Sequence, residues 1–274
     1  MNYFNLKCKL AKLLDIFGIN KFVLHCLNKK YGNNYVRVLN YHHCCETDRE
    51  QFIKQIHWYS EHFHICSMDD LESFLAGTKQ FTDKPALLLT FDDGFLDNYT
   101  VAHQVLSEKN LSAVYMVSAG LVGKKAVRDG IEAEYMSADQ LKEMINQGAS
   151  IGCHTFSHHR MDEADTEETL VHEIVEAKQE LERILEKPVT VFCWCGGEEH
   201  TYTKAASDII RSAGFKYSFM TNSAPIEAGC DKFQLDRSNI EAGWPLSLVR
   251  FQLCGFMDFK LWKKRYRIHL LTNK

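Results

Sequence analysis

The run ALLLTF at Ala86–Phe91 leads directly into two adjacent aspartates and a glycine, Asp92, Asp93 and Gly94. A strand with one solvated face alternates apolar and polar residues, whereas a strand covered by helices on both faces does not. ALLLTF therefore reads as a parallel strand buried between layers. Further strands are read at YVRVLNYH (Tyr35–His42), SAVYMV (Ser112–Val117), ASIGCH (Ala149–His154), VTVFCW (Val189–Trp194) and KYSFM (Lys216–Met220). Helical stretches separate them, near Arg49–His62, Tyr99–Lys109 and Thr203–Ala213, and from the N-cap Ser137 to about Gly148. The clearest helix spans Thr166–Lys187, where Leu170, Ile174, Ala177, Leu181 and Leu185 share one face and Pro188 marks the stop. This alternation predicts an α/β chain with parallel strands, either a barrel or a doubly wound sheet. In both, chemistry sits at the carboxyl ends of the strands.

Three strand ends carry unusual polar residues: His42-His43, Asp92-Asp93 and HTFSHH from His154 to His159. Adjacent side chains on extended backbone point to opposite sides, so Asp92 and Asp93 are expected to serve different neighbours rather than share a proton. Asp-Asp-Gly is also ordinary turn chemistry, and alone it decides nothing. His154 and His158 are four apart, a spacing that presents two imidazoles to one point from a helical turn or a compact loop. With one carboxylate they form a His2Asp set that leaves positions open, the layout of a catalytic rather than a structural metal.

TFDDG (Thr90–Gly94) and HTFSH (His154–His158), in that order, resemble the polysaccharide deacetylases of the NodB-homology type, carbohydrate esterase family four. The resemblance runs from about Val36 to Ile240 and includes Tyr41-His42, GFKYSFMTN (Gly214–Asn222) and LDRSNI (Leu235–Ile240). It implies a distorted (β/α) barrel and a divalent-metal hydrolase that removes N-acetyl groups from amino sugars. By position Asp93, His154 and His158 match the metal ligands and Asp92 the general base. Zinc is the first expectation for the ion, and cobalt, nickel or iron also suit such a donor set.

Amide cleavage needs an acid as well. The family's C-terminal Leu-x-His motif is missing after Ile240, and the resemblance to a branch with rearranged motif order points to His42 instead; a hydrogen-bonded structural histidine is the other reading. His43 and His159 read as solvent-side neighbours. FCWCGG (Phe192–Gly197) resembles the Phe-x-Tyr-Pro-x-Gly segment, which implies an oxyanion-binding N–H at Gly196. Trp194 reads as a sugar platform or a core aromatic. Cys195 stands where proline is usual, and the Cys193/Cys195 thiols read as structural or as adventitious metal ligands. Arg237 is a candidate to orient Asp92. A deformylase or other amide hydrolase on a lipid-linked sugar, and an inactive glycan-binding or scaffold protein on the same fold, are the competing functions.

The net charge of −4 is unevenly spread: residues 1–30 and 257–274 are each +5, leaving −14 between them. Such ends suit an anionic membrane surface or a phosphate-bearing ligand, or are solvated helix charges. No nucleic-acid partner is expected. Tyr3, Leu6, Leu10, Leu13, Leu14 and Phe17 follow helical spacing, with Lys7, Lys9 and Lys12 off that face, which reads as packing on the domain or as a peripheral membrane contact. Lysines interrupt this segment, so neither a secretory signal nor a membrane span is expected. Ten cysteines then imply reduced thiols in a cytoplasmic protein, and the basic termini suit a peripheral position at the inner face of the membrane. The expected organisation is a helical basic extension over 1–34, a barrel over 35–256 and a basic tail over 257–274.

Overall fold

In the computed structural model Ala86–Phe91 is a strand over its whole expected length, with every residue buried. The structure describes residues 3–128 and 131–273, so Met1, Asn2 and Lys274 at the extremes of the two basic ends lie outside the described residues. The strands are β1 (Val36–Tyr41), β2 (His64–Ile65), β3 (Ala86–Phe91), β4 (Val114–Val117), β5 (Lys125–Arg128), β6 (Ile131–Glu134), β7 (Ser150–Cys153), β8 (Val191–Cys193), β9 (Tyr217–Met220) and β10 (Leu235–Asn239). The helices are α1 (Tyr3–Ile16), α2 (Ile19–Tyr31), α3 (Arg49–His62), α4 (Met68–Leu75), α5 (Gln104–Ser107), α6 (Ala138–Asn146), α7 (Glu167–Val171), α8 (Ala177–Leu185), α9 (Lys204–Ser212), α10 (Leu246–Leu253) and α11 (Phe256–Thr272).

Seven parallel strands close into a barrel in the order β1-β10-β9-β8-β7-β4-β3, with β3 pairing back onto β1. The far edge of β3 is shared, with β2 on Ala86 and Leu87 and β4 on Thr90 and Phe91. That split is the distortion of the barrel. The antiparallel hairpin β5–β6 stands outside it and had no counterpart in the sequence reading.

Alternation along the strands sorts the core into two layers. Val36, Val38, Leu88, Val114, Met116, Val191, Cys193, Phe219 and Leu235 form one buried cluster, joined by Met68, Leu71 and Phe74 of α4. Leu39, Leu87, Leu89, Phe91, Tyr115 and Val117 pack with the surrounding helices in the other. On β3 the inner series Ala86, Leu88, Thr90 continues to Asp92, so the inner face of this strand turns polar only toward its carboxyl end.

Glu167–Leu185 is helical with a π turn at His172–Glu176, and Leu170, Ile174, Ala177, Leu181 and Leu185 are all buried. It ends at Glu186 in the left-handed region, before Pro188 is reached. The basic tail is mostly the helix α11. On α1 the expectation of packing fails for one stripe: Leu6, Leu10 and Leu13 are exposed, as is Phe17 just beyond the helix, while Ala11 is buried and Lys7 donates to Gln252 on α10.

Candidate active site

Asp92 and Asp93 follow β3 directly and are both buried. Asp93 has φ 76° and Gly94 φ 80°, so the chain leaves the strand through two left-handed residues. The divergence of the two carboxylates therefore comes from this turn, not from the strand pleat that the sequence reading invoked. A non-glycine residue held there is strained, and such strain gathers at functional sites.

Asp92 faces Arg237 in the middle of β10. Nη1 donates to Oδ1 at 2.6 Å and Nη2 to Oδ2 at 2.8 Å, and Nη1 also reaches Thr90 Oγ1 at 2.9 Å. Burial alone raises a carboxyl pKa, but the guanidinium outweighs it and holds Asp92 below the ordinary carboxylate range. Asp93 turns the other way: its Oδ1 lies 3.4 Å from His154 Nε2 and 2.9 Å from His158 Nε2. Burial opposes its charge too, and the two imidazoles hold it well below the ordinary value.

The two histidines come from the loop after β7. It is compact and non-helical, with Thr155 at φ 61° and His158 at φ 62°. Glu173, buried in the π turn, accepts from Phe156 N at 3.0 Å, Ser157 N at 2.9 Å and Ser157 Oγ at 2.7 Å. His159 N donates to Thr155 Oγ1, and Ser118 Oγ to the carbonyl of His154. Sequence reasoning missed Glu173; its only signal was a carboxylate one residue before Ile174 on an otherwise apolar face. His154 Nδ1 lies 3.0 Å from the Cys193 carbonyl, which can only accept, so that nitrogen carries the proton and Nε2 is left facing Asp93.

The segment after β8 closes the site. Cys195 is buried, and its Sγ lies within 4.8 Å of ligand nitrogens of both His154 and His158. Burial pushes the thiol up, yet the neighbouring imidazoles bring it down to about 6. Gly196 has φ 85°, and a Cβ there would approach Thr201 Oγ1 to 3.1 Å, so both backbone and space call for glycine. Trp194 is corrected to a core residue: it is 2% exposed, with its ring 5.2 Å from that of Tyr202, and offers no face to a sugar.

At the rim, His42 Nδ1 lies 3.6 Å from Glu241 Oε1, and these side chains are 37% and 38% exposed. Burial lowers the imidazole pKa, but the nearby Glu241 carboxylate and the charges of Asp92 and Asp93 raise it above the ordinary value. His43 turns away to Asp97 at 2.7 Å and His159 to Asp165 at 2.8 Å.

Ligand atoms about 2.0–2.1 Å from one cation lie about 2.9 Å apart in octahedral and about 3.3 Å apart in tetrahedral geometry. The 2.9 and 3.4 Å separations around Asp93 Oδ1 match that span, and the anchored His154 Nδ1 adds the outer support of a metal-ligating imidazole. Asp93, His154 and His158 thus fit a divalent cation.

A sequence model of the polysaccharide deacetylase family matches residues 79–218, just over half of the chain. The chain belongs to that family. The match takes in Asp92, Asp93, His154, His158 and Cys195, whereas His42, Arg237 and Glu241 lie outside it and join the site only through barrel closure. Protein YxkH of Bacillus subtilis (strain 168) is 21% identical over 196 residues, 71% of this chain and 66% of its own length. Among solved structures, IcaB from Ammonifex degensii superposes with a TM-score of 0.69 at 24% identity, covering 81% of this chain and 97% of its own. The Streptococcus pyogenes deacetylase PplD, solved with acetate, gives 0.66 at 21%, covering 80% and 98%. At these identities the shared property is the fold, the NodB-type barrel.

Since Glu173 holds the backbone between the two histidines, Glu173→Gln should weaken zinc binding about 10–100-fold. Competition against a chromophoric chelator measures this, and unchanged affinity would show that the loop holds its shape without the carboxylate.

Proposed function

We propose that this chain is a metal-dependent deacetylase that hydrolyses the N-acetyl amide of an amino sugar in a glycan or a lipid-linked glycan intermediate. The observation that carries it is the split of the aspartate pair, with Asp93 on His154 and His158 and Asp92 beside it, ionised and aimed by Arg237.

Asp93, His154 and His158 hold the cation, zinc in the first instance. Bound there, it supplies the charge that polarises the amide carbonyl and acidifies water enough for a base as weak as Asp92. Asp92 accepts the proton of the attacking water, and the Arg237 fork keeps its oxygens in place. The backbone N–H of Gly196, in its left-handed turn, donates to the developing oxyanion. His42, whose imidazolium form is favoured by the carboxylate of Glu241, gives its proton to the departing amine nitrogen.

The substrate's setting is read from α1. Its exposed stripe continues to Phe17, 71% exposed in the turn that follows the helix, and is flanked by Lys9 and Lys12, the pattern of a helix lying in a membrane interface. On the opposite face of the helix, with Lys7 and Ala11, the Phe4 ring sits 6.2 Å from Trp244, in the loop that carries Glu241, so the packed face of α1 is anchored to the loop at the site rim. No described helix is long and apolar enough to cross a membrane. All ten cysteines are free thiols, which favours the reducing, cytoplasmic face. We read the protein as one that meets its glycan at that surface.

Acetate release from a panel of N-acetylated amino sugars tests the activity. Asp92→Asn should lower kcat by about 10²–10⁴-fold with zinc still bound, and chelation should abolish turnover. A zinc-loaded protein that releases no acetate from any member of the panel overturns the reading, and formate release would move it to a deformylase.

The pH profile follows from His42. An acid must be protonated, so activity falls as pH rises through its raised pKa. Glu241→Gln removes the nearest of the carboxylates that raise it, and the alkaline limb of kcat/KM should shift to lower pH; a stationary limb removes His42 as the acid.

Co-sedimentation with vesicles containing anionic phosphatidylserine tests the surface. Paired Leu10→Ser and Phe17→Ser substitutions should reduce the bound fraction severalfold while acetate release from a soluble substrate persists.

A further inference from the structure

The metal centre proposed above leaves an uncancelled charge. Asp92 is already neutralised by Arg237, through two hydrogen bonds at full burial. Among the described residues Asp93 is then the carboxylate left to face a divalent cation, and His154 and His158 as neutral ligands add no charge. One positive charge would remain in a pocket where Asp93 and His154 are each 2% exposed. A buried charge without a partner is strongly disfavoured.

Among the described residues, one group beside both histidines can supply a further negative charge. Cys195 is fully buried, and its sulfur reaches ligand atoms of both His154 and His158 within 4.8 Å. The sulfur sits 3.5 Å from both the His154 carbonyl and Thr155 Oγ1, so it lies against the first turn of the histidine loop. Cys193 forms a second cluster with Asp92 and His154, but its sulfur lies 3.9 Å from Asp92 Oδ1, on the carboxylate that Arg237 has already claimed. His154 Nε2 faces Asp93, and the cation belongs on that side.

We propose that Cys195 is a fourth protein ligand, so that the ion is held by Asp93 oxygen, two imidazole nitrogens and a thiolate sulfur. This rests on the metal-centre reading and extends it. The donor set is neutral overall with a divalent ion and soft at one corner, which selects zinc or cobalt over magnesium or manganese. It also fills a position that a His2Asp set leaves open, so substrate or water must enter as a fifth group or displace the sulfur. Proline at this position could supply no such ligand.

The test uses the full chain loaded with cobalt(II). The wild-type protein should show a sulfur-to-cobalt charge-transfer band in the near ultraviolet. Cys195→Ser should lose that band, keep the visible d–d bands and bind zinc at least about tenfold more weakly, since even outer-shell changes reach that size. Cys193→Ser should keep the band. Its absence from the wild-type protein, or its loss in Cys193→Ser with retention in Cys195→Ser, overturns the assignment. Circular dichroism of Cys195→Ser and Cys195→Ala checks folding; if neither folds, the wild-type band compared with Cys193→Ser still decides. A charge-transfer band in a protein that releases no acetate leaves the ligand standing and removes the activity, while acetate release without the band does the reverse.

Discussion

Two adjacent buried carboxylates must each find a separate counter-charge, and that requirement organises this end of the barrel. At 3–4 Å, like charges in a medium of low effective dielectric repel by several kcal/mol. A shared proton would relieve this, as in a facing dyad, but the turn at Asp93 separates the pair. Asp92 stays in line with the inner face of β3 and meets Arg237 from β10, while Asp93 swings to the loop after β7. The counter-charges thus come from opposite sides of the barrel.

Barrel closure makes this possible. β1 pairs with β10 on one side and β3 on the other, with Val38 aligned to both Arg237 and Leu88. Arg237 is therefore held two strands from Asp92, and His42 emerges from the strand between them. Were the sheet open between β1 and β3, Arg237 would be a buried cation without its partner. The ion pair is a weak source of net stability, because desolvation offsets most of the attraction, but breaking it by removing one partner is expensive. Its value is orientation.

The parallel α/β alternation was legible for a definite reason, while the choice of a barrel over a doubly wound sheet came from the family resemblance alone. Strands buried on both faces and a helix with a period-3.6 stripe leave strong local patterns, as at Ala86–Phe91 and Leu170–Leu185. The meeting of Asp93 with His154 and His158 was legible because strand ends converge in this fold class. What escaped was whatever depends on side-chain direction across the barrel. Trp194 follows a strand whose neighbours give no sign of which way the indole turns, and it turns into the core. Glu173 looks like one more acidic residue of an amphipathic helix until its carboxylate meets the loop at 156–157. The β5–β6 hairpin is short and its first strand is not patterned; the alternation of Ile131–Tyr135 covers too few residues to stand out, and Ala126, Ala133 and Tyr135 pack with Phe95 in a small cluster apart from the core. The exposed α1 stripe was read equally as core, because periodicity reports a face but not what covers it.

The segment after β8 shows how one residue type can serve two ends of a site. Where proline stiffens the chain, the geometry of a following N–H is set by a ring that fixes φ. Here Cys195 leaves φ free, and other contacts take over: Trp194 N bonds to the Phe219 carbonyl, Thr201 crowds Gly196, and Glu198 accepts from Gly197 N at 3.1 Å. Lys264 of α11 adds a bond to the Gly197 carbonyl. The turn is thus held from outside by side chains, not from inside by a ring. That arrangement frees position 195 to present sulfur to the imidazoles, and it makes α11 part of what shapes the site although it contributes no group to it.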